Sequence, residues 1–235
     1  MVEAGCTWQE AYDRAWAAGL FLPVYPSFAI GSTIGGWINS GGVGIGAMKY
    51  GSARDLLLNL EVVLEDGTAV QTGSDRVDLG GSHMNLGPLF VGSEGTLGLV
   101  TRATLRLCPR PDDIRPLAYS FRSLAAAVPA LRALAASPVR PYHVTLLDPS
   151  HLEFVKAVHR DAPEPTAIVL VVLEGPRDEN AEGEKAVDAL MAAEGGGKMA
   201  GETAKALWDD RLYAYPMRRI SGGLVVCEAD DARAK

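Results

Sequence analysis

Cysteine is scarce in this chain of 235 residues, with only Cys6, Cys108 and Cys227. They form no CxxC pair, and their odd number argues against a disulfide framework. Each reads as a small buried hydrophobe. Histidine is as thin, at His83, His143, His151 and His159, without HExxH or H-x3-H spacing. No metal site is expected from such a set. Long apolar runs are missing too. The longest, AIVLVVL at Ala167–Leu173, falls far short of the roughly 20 residues that cross a bilayer. Positive charge is in deficit, 22 basic against 29 acidic residues for a net charge of -7. That disfavours a sequence-independent grip on nucleic acid, which needs a basic face. No charged-then-apolar segment opens the chain, so a cytoplasmic location is the expectation.

Hydrophobic residues make up 48% and charged residues 22%, an ordinary soluble globular balance. The length suits one large or two small domains. Glycine is unevenly spread, 18 of the 26 lying before residue 111 and 8 after it. Glycine collects where a loop turns tightly or wraps a ligand. A seam at Cys108-Pro109-Arg110-Pro111 therefore predicts two regions, 1–111 and 112–235.

In the first region a strand is expected at Val2–Ala4. A helix follows, opened by a capping box at Thr7 and Glu10 and ended by Gly19. A short helix starts near Ser32 or Thr33 and holds IGGWIN. A glycine-rich loop fills Ser40–Ser52. Leu58–Gly73 reads as two strands around the hairpin signal Asp66-Gly67. Ser74–Pro88 is irregular, and LFVGSEGTLGLVTRATLRL reads as strand, turn, short helix and strand. The second region predicts strands at Leu117–Phe121, Tyr142–Leu147, Thr166–Glu174 and Leu224–Cys227. Helices are expected at Ser123–Ala136, Pro149–His159, Asp178–Ala193 and Glu202–Met217, with Pro129 an awkward member of the first. The fold class is α+β, an antiparallel sheet followed by a βαβ-rich layer.

Two phosphate motifs fail. GGVGIG at Gly41–Gly46 lacks the GxGxxG spacing, and no GxxxxGK occurs. The STIGG segment still places small residues at a helix start, where free backbone amides favour an anion. With the loop Ser40–Gly51 and the turn Gly92–Gly98, it suits a pyrophosphate-bearing cofactor. Tight turns in a small sheet explain the same glycines without any ligand.

The motifs STIGG, KYGSARD, LEVVLEDG and FVGSEGTLG, in this order over residues 1–111, closely resemble the FAD-linked oxidase family. That family includes glycolate oxidase FAD-binding subunits, D-lactate dehydrogenases, D-2-hydroxyglutarate dehydrogenases and alkyldihydroxyacetonephosphate synthases. The resemblance implies the second half of a PCMH-type FAD-binding domain at 1–111 and part of an α+β substrate cap at 112–235. The segment like Pro26–Gly36 would run along the pyrophosphate and ribityl chain, the segment like Ser40–Gly51 would close over the flavin, and the segment like Glu94–Val100 would meet the adenine end. These roles carry onto Pro26, Ser27, Ser32, Thr33, Gly35, Gly36, Ser40, Gly42, Glu94, Gly95, Gly98, Leu99 and Val100. The FAD would be non-covalent, since the attaching histidine or cysteine of some relatives has no match here.

In related hydroxyacid dehydrogenases a W-x-x-R in the cap sets an arginine on the substrate carboxylate. Trp208-Asp209-Asp210-Arg211 has that spacing, and Arg211 is the candidate substrate ligand. A surface ion pair with neighbouring acids is the plainer role for it. Arg218 and Arg219 are weaker candidates, and His83 is either an exposed loop residue or one near the flavin. A lysine of the 2-hydroxyglutarate enzymes aligns near Cys227, which weakens that assignment. The resemblance implies oxidation of a small 2-hydroxy acid by hydride transfer to flavin N5. By the same comparison, a first FAD half, the rest of the cap and the catalytic base lie outside these residues. A companion polypeptide would supply them. The alternative is a non-catalytic fragment or subunit that needs a partner chain. A flavoprotein like a cell-wall precursor reductase is a third reading, disfavoured by KYGSARD and FVGSEGTLG.

Overall fold

The computed structural model describes residues 1–75, 84–158 and 167–209. In the first region, β1 (Val2–Glu3) leads into α1 (Trp8–Ala17). Both arms of the predicted capping box form: the Thr7 hydroxyl accepts from the Glu10 amide, and the Glu10 carboxylate accepts from the Thr7 amide. Then come β2 (Leu20–Phe21), α2 (Ile34–Asn39), α3 (Ala47–Tyr50), α4 (Ala53–Leu56), β3 (Leu57–Val63) and β4 (Ala69–Gln71). The chain continues through α5 (Gly87–Phe90), β5 (Leu99–Leu105) and β6 (Cys108–Pro109).

An antiparallel sheet runs in the order β1-β5-β3-β4, with β3 and β4 joined at the Asp66-Gly67 turn as predicted. Buried Asn59 fastens this hairpin. Its Oδ1 accepts the amides of Thr72 and Gly73 at 3.1 and 2.9 Å, and its Nδ2 donates to Gln71 and Asp75 at 2.8 and 2.9 Å. Every polar atom of the side chain is satisfied, so its burial carries no penalty of an orphaned group.

Two local expectations fail in this region. The glycine loop contains a turn of helix, α3. The expected strand at the start of LFVGSEG is the helical turn α5, with Pro88 in its first turn, where a missing N–H costs nothing. No helix follows the turn; the chain passes through Gly98 directly into β5.

The second region holds β7 (Asp113–Phe121), α6 (Leu124–Ala136), β8 (His143–Leu147), α7 (Pro149–Val158), β9 (Ala167–Gly175), α8 (Arg177–Ala193), β10 (Gly197–Lys198) and α9 (Gly201–Asp209). Its sheet has the order β10-β7-β9-β8, every neighbouring pair antiparallel. The expected βαβ layer is therefore a split one: β9 lies between β7 and β8, which run parallel to each other on either side of it. Helix α6 runs through Pro129 without a break. Pro129 is exposed, and the carbonyl it leaves unpaired belongs to exposed Ala125, which faces water. The strand expected at Leu224–Cys227 and the end of the helix expected to reach Met217 lie outside the described residues.

Strand β9 explains how the two regions meet. Residues Ala167 to Leu173 are at most 4% exposed, so both faces of the strand are covered. Leu117, Tyr119, Phe121, Val169, Val171 and Leu173 pack under α6 and α8. On the other face Ile168, Leu170 and Val172 join Tyr142 and Trp208 in one core with Trp8, Phe21, Ile34 and Trp37 of the first region. Within the first region, the short β2–β6 pair ties its last residues back to the segment after α1, bringing Leu20 opposite Pro109 and Phe21 opposite Cys108. Pro109 is tolerated because the pair has only two strands.

Candidate functional site

Helix α2 organises the candidate site. Its N-cap is Thr33, whose hydroxyl accepts from the Gly36 amide at 3.2 Å. Trp37 packs edge-on against Trp8, ring centroids 4.5 Å apart, and its Nε1 donates to the Val43 carbonyl at 3.2 Å. The helix is thereby anchored in the core while it pins the start of the glycine loop. The loop is pinned again by the Tyr25–Ile45 bridge and by the Ala53 amide donating to the Gly42 carbonyl at 2.8 Å.

The C-terminal end of α2 receives the GSEG turn. Its Ile38 and Asn39 carbonyls accept the amides of Gly92 and Glu94 at 3.0 and 2.9 Å. Arg54, within KYGSARD, steadies the same turn by donating to the Val91 carbonyl at 2.9 Å. Three chain segments thus converge on one short helix: 25–36, 40–51 and 92–100.

The nominated residues divide by exposure. Ser27, Gly36, Ser40, Glu94, Gly95 and Leu99 are exposed, while Ser32, Thr33 and Gly98 are half-buried. Pro26, Gly35, Gly42 and Val100 are buried. Gly35 lies so close to β1 that a Cβ there would come within 2.7 Å of the Ala4 Cβ. This glycine therefore serves packing.

The expectation of free amides at the start of α2 is overturned. The Ile34 amide donates to the Cys6 carbonyl and the Gly35 amide to the Ala4 carbonyl, both at 2.9 Å, and the Gly36 amide goes to Thr33. The β1–α1 connection runs alongside α2 and takes the donors that a phosphate would have used. Any anion at this corner meets other groups than these three amides.

Two functional candidates were not legible in the sequence. Asn39 Oδ1 and Ser93 Oγ are buried atoms without a hydrogen-bond partner, at the junction of α2 and the GSEG turn. Buried polar atoms are rarely left so, and each needs a partner from solvent or a ligand. The signal for Ser93 was its place inside FVGSEGTLG; Asn39 gave none.

Arg211 lies outside the described residues, as do Arg218, Arg219, His83 and Cys227. Trp208, the first residue of the W-x-x-R, is 7% exposed, with ring centroids 6.2 Å from Tyr142 and 5.9 Å from His143. The tryptophan is thus a core anchor for α9. Cys6 and Cys108 have raised thiol pKa values, first because burial disfavours the thiolate. Among the described residues no group of three or more His, Cys, Asp or Glu is placed to hold a metal ion, and no helix is long and apolar enough to cross a membrane.

Residues 110–229 match the family model for FAD linked oxidases, C-terminal domain. The chain belongs to the FAD-linked oxidases. Residues 1–73 match the FAD binding domain that accompanies it, and FAD is the cofactor these matches indicate. Among curated relatives of this FAD-linked oxidase, the glycolate oxidase subunit GlcD of Bacillus subtilis is 37% identical over 162 residues, covering 67% of this chain and 34% of the relative. The D-lactate dehydrogenase of Archaeoglobus fulgidus is 40% identical over 121 residues, 52% of this chain and 27% of the relative. The Escherichia coli GlcD is 32% identical over 209 residues, 86% of this chain and 42% of the relative. The chain therefore spans well under half the length of these proteins. A solved alkyldihydroxyacetonephosphate synthase shares the fold at a TM-score of 0.74 and 24% identity, covering 93% of this chain and 42% of that one.

The site suits FAD on two grounds. Asn39 and Ser93 offer unpartnered polar atoms at the convergence of the three segments. On the three segments themselves Ile30, Val43, Met48, Leu97 and Leu99 are between 43% and 66% exposed, apolar surface that an isoalloxazine or adenine ring can cover.

Proposed function

We propose that this chain binds FAD non-covalently at the corner around α2 and serves the oxidation of a small 2-hydroxy acid of the glycolate or D-lactate type. The observation that carries the reading is the convergence of 25–36, 40–51 and 92–100 on α2, held by the Gly92 and Glu94 amides. The chemistry that FAD supplies is two-electron acceptance at the flavin N5. Pro26, Ser27, Ser32, Thr33, Gly36 and Ser40 would border the pyrophosphate and ribityl chain. Gly42 and its loop would lie over the flavin, and Glu94, Gly95, Gly98, Leu99 and Val100 would border the adenine end. Arg211 would pair its planar guanidinium with the substrate carboxylate. The names of the relatives support the substrate class.

The division into a cofactor region, 1–111, and a cap region, 112–235, belongs to the same reading. The matched spans 1–73 and 110–229 support it. A second reading is a subunit that gains its FAD affinity only with a companion polypeptide. It is favoured by Leu89, Leu97 and Leu99, apolar and 53% to 66% exposed around the GSEG turn.

Titration of the purified chain with FAD, followed by fluorescence quenching, tests the proposal. Saturable binding at micromolar FAD, then bleaching of the flavin absorbance by glycolate or D-lactate, is the expected result. A folded chain that takes up no FAD refutes the first reading and leaves the second.

A further inference from the structure

The glycine loop touches the second region at a buried carboxylate. Glu174 ends the apolar run of β9, and its side chain is 5% exposed. Lys49 Nζ donates to the Glu174 carboxylate and to its backbone carbonyl, each at 2.7 Å. The Tyr50 hydroxyl donates to the same carboxylate at 2.8 Å. Lys49 and Tyr50 are neighbours on α3, inside the glycine loop, and 125 and 124 residues separate them from their acceptor. The loop has a second contact with the same sheet. A Cβ on Gly46 would lie 2.6 Å from the Tyr142 ring and 2.0 Å from the Pro23 carbonyl, so the loop sits tightly between the two regions there.

A buried ion pair is weak support for stability, because desolvation of the two charges offsets their attraction. An apolar residue at the end of β9 would complete its buried run as well. What the carboxylate adds is direction: two lone-pair-bearing oxygens and a carbonyl accept from two named donors and admit one placement of α3. The site of this contact is the loop assigned above to the flavin.

We propose that Glu174 is a positioning residue for the cofactor loop: through Lys49 and Tyr50 it holds Ser40–Gly51 against the second sheet in the shape that receives FAD. The inference rests on the reading of that loop as a cofactor segment. It makes the second region a platform for the cofactor site as well as a neighbour of it.

Glu174→Gln and Lys49→Met, made separately in the whole chain, test the proposal. Asp188→Asn, which weakens the Tyr119 contact on the far face of the sheet, is the stability control. Two readouts apply: FAD affinity by fluorescence quenching, and backbone amide exchange at residues 42–51 of the FAD-free protein. Both loop variants are expected to weaken FAD binding about tenfold, the scale of one hydrogen bond to a charged group, and to speed amide exchange in the loop. The control is expected to lower Tm without either change. Lys49→Met alters a partly exposed side chain and keeps the test alive if Glu174→Gln does not fold. Loop variants that bind FAD as the wild type does, or a control that weakens binding as much, overturn the inference alone. A wild-type chain that binds no FAD overturns the cofactor reading and this inference with it.

Discussion

Gly42 is the residue on which the glycine loop turns. Its φ is +62°, in the left-handed region, and a Cβ there would lie 2.2 Å from the Ala53 Cβ and 3.2 Å from the Trp37 ring. An alanine meets two penalties at once, the left-handed conformation and the overlap with Ala53. Gly42→Ala is therefore expected to lower stability by about 2–4 kcal/mol. Gly5→Ala, where nothing lies within 4 Å, is expected to stay within about 0.5 kcal/mol. Urea unfolding of the two variants checks the contrast. The sequence placed Gly42 in the loop expected to close over the flavin, and the space that a Cβ would need there is taken by Ala53 and Trp37. A glycine in the sequence does not show whether the backbone conformation, a ligand or a neighbouring side chain requires it.

Strand β9 is the element on which both regions depend. Leu170 faces the large core and Val171 the core under α6 and α8, at 2% and 0% exposure. Leu170→Ala leaves a cavity at the contact between regions and is expected to cost about 2–5 kcal/mol. Because that face is shared, the loss is expected to appear in one cooperative transition monitored by both tryptophan fluorescence and far-UV dichroism. Separate melting of the two regions would refute a common core. The run AIVLVVL announced a buried strand plainly. Its antiparallel place between β7 and β8 was not legible, because periodicity carries no information about which strands become neighbours. Residues Gly87–Phe90 failed for a different reason. A short apolar segment is ambiguous between strand and helix, and Pro88 in the first turn decides for helix.

At the scale of the whole molecule, stability is bounded by pH on both sides. The phenols of Tyr50 and Tyr119 are raised well above their ordinary value of 10.0, first by burial and then by hydrogen bonds to Glu174 and Asp188. A raised folded pKa gives stability that is complete below pH 10 and is lost as pH rises through the folded value. His151 is shifted the other way, lowered from 6.5 because burial disfavours its charged form, with Asp148 opposing. Its contribution is complete above pH 6.5 and is lost as pH falls through the folded value. Tm is expected to plateau between these limits and fall on either side. Tyr119→Phe is expected to flatten the alkaline arm and His151→Asn the acid arm. A Tm that keeps its wild-type pH profile in both variants refutes these assignments.

Local chemistry was readable along the chain. Thr7 and Glu10 specify a helix start by their spacing, Asp66-Gly67 specifies a hairpin by its dihedral preferences, and STIGG, KYGSARD and FVGSEGTLG mark the cofactor family. Tertiary structure alone decided how those motifs are used. The amides of STIGG bond to Ala4 and Cys6 because β1 and its turn pack alongside α2. Lys49 and Tyr50 of KYGSARD reach Glu174 because the second sheet lies against the loop. Contacts between residues more than a hundred positions apart leave no periodic trace in a sequence, since they depend on how whole layers stack.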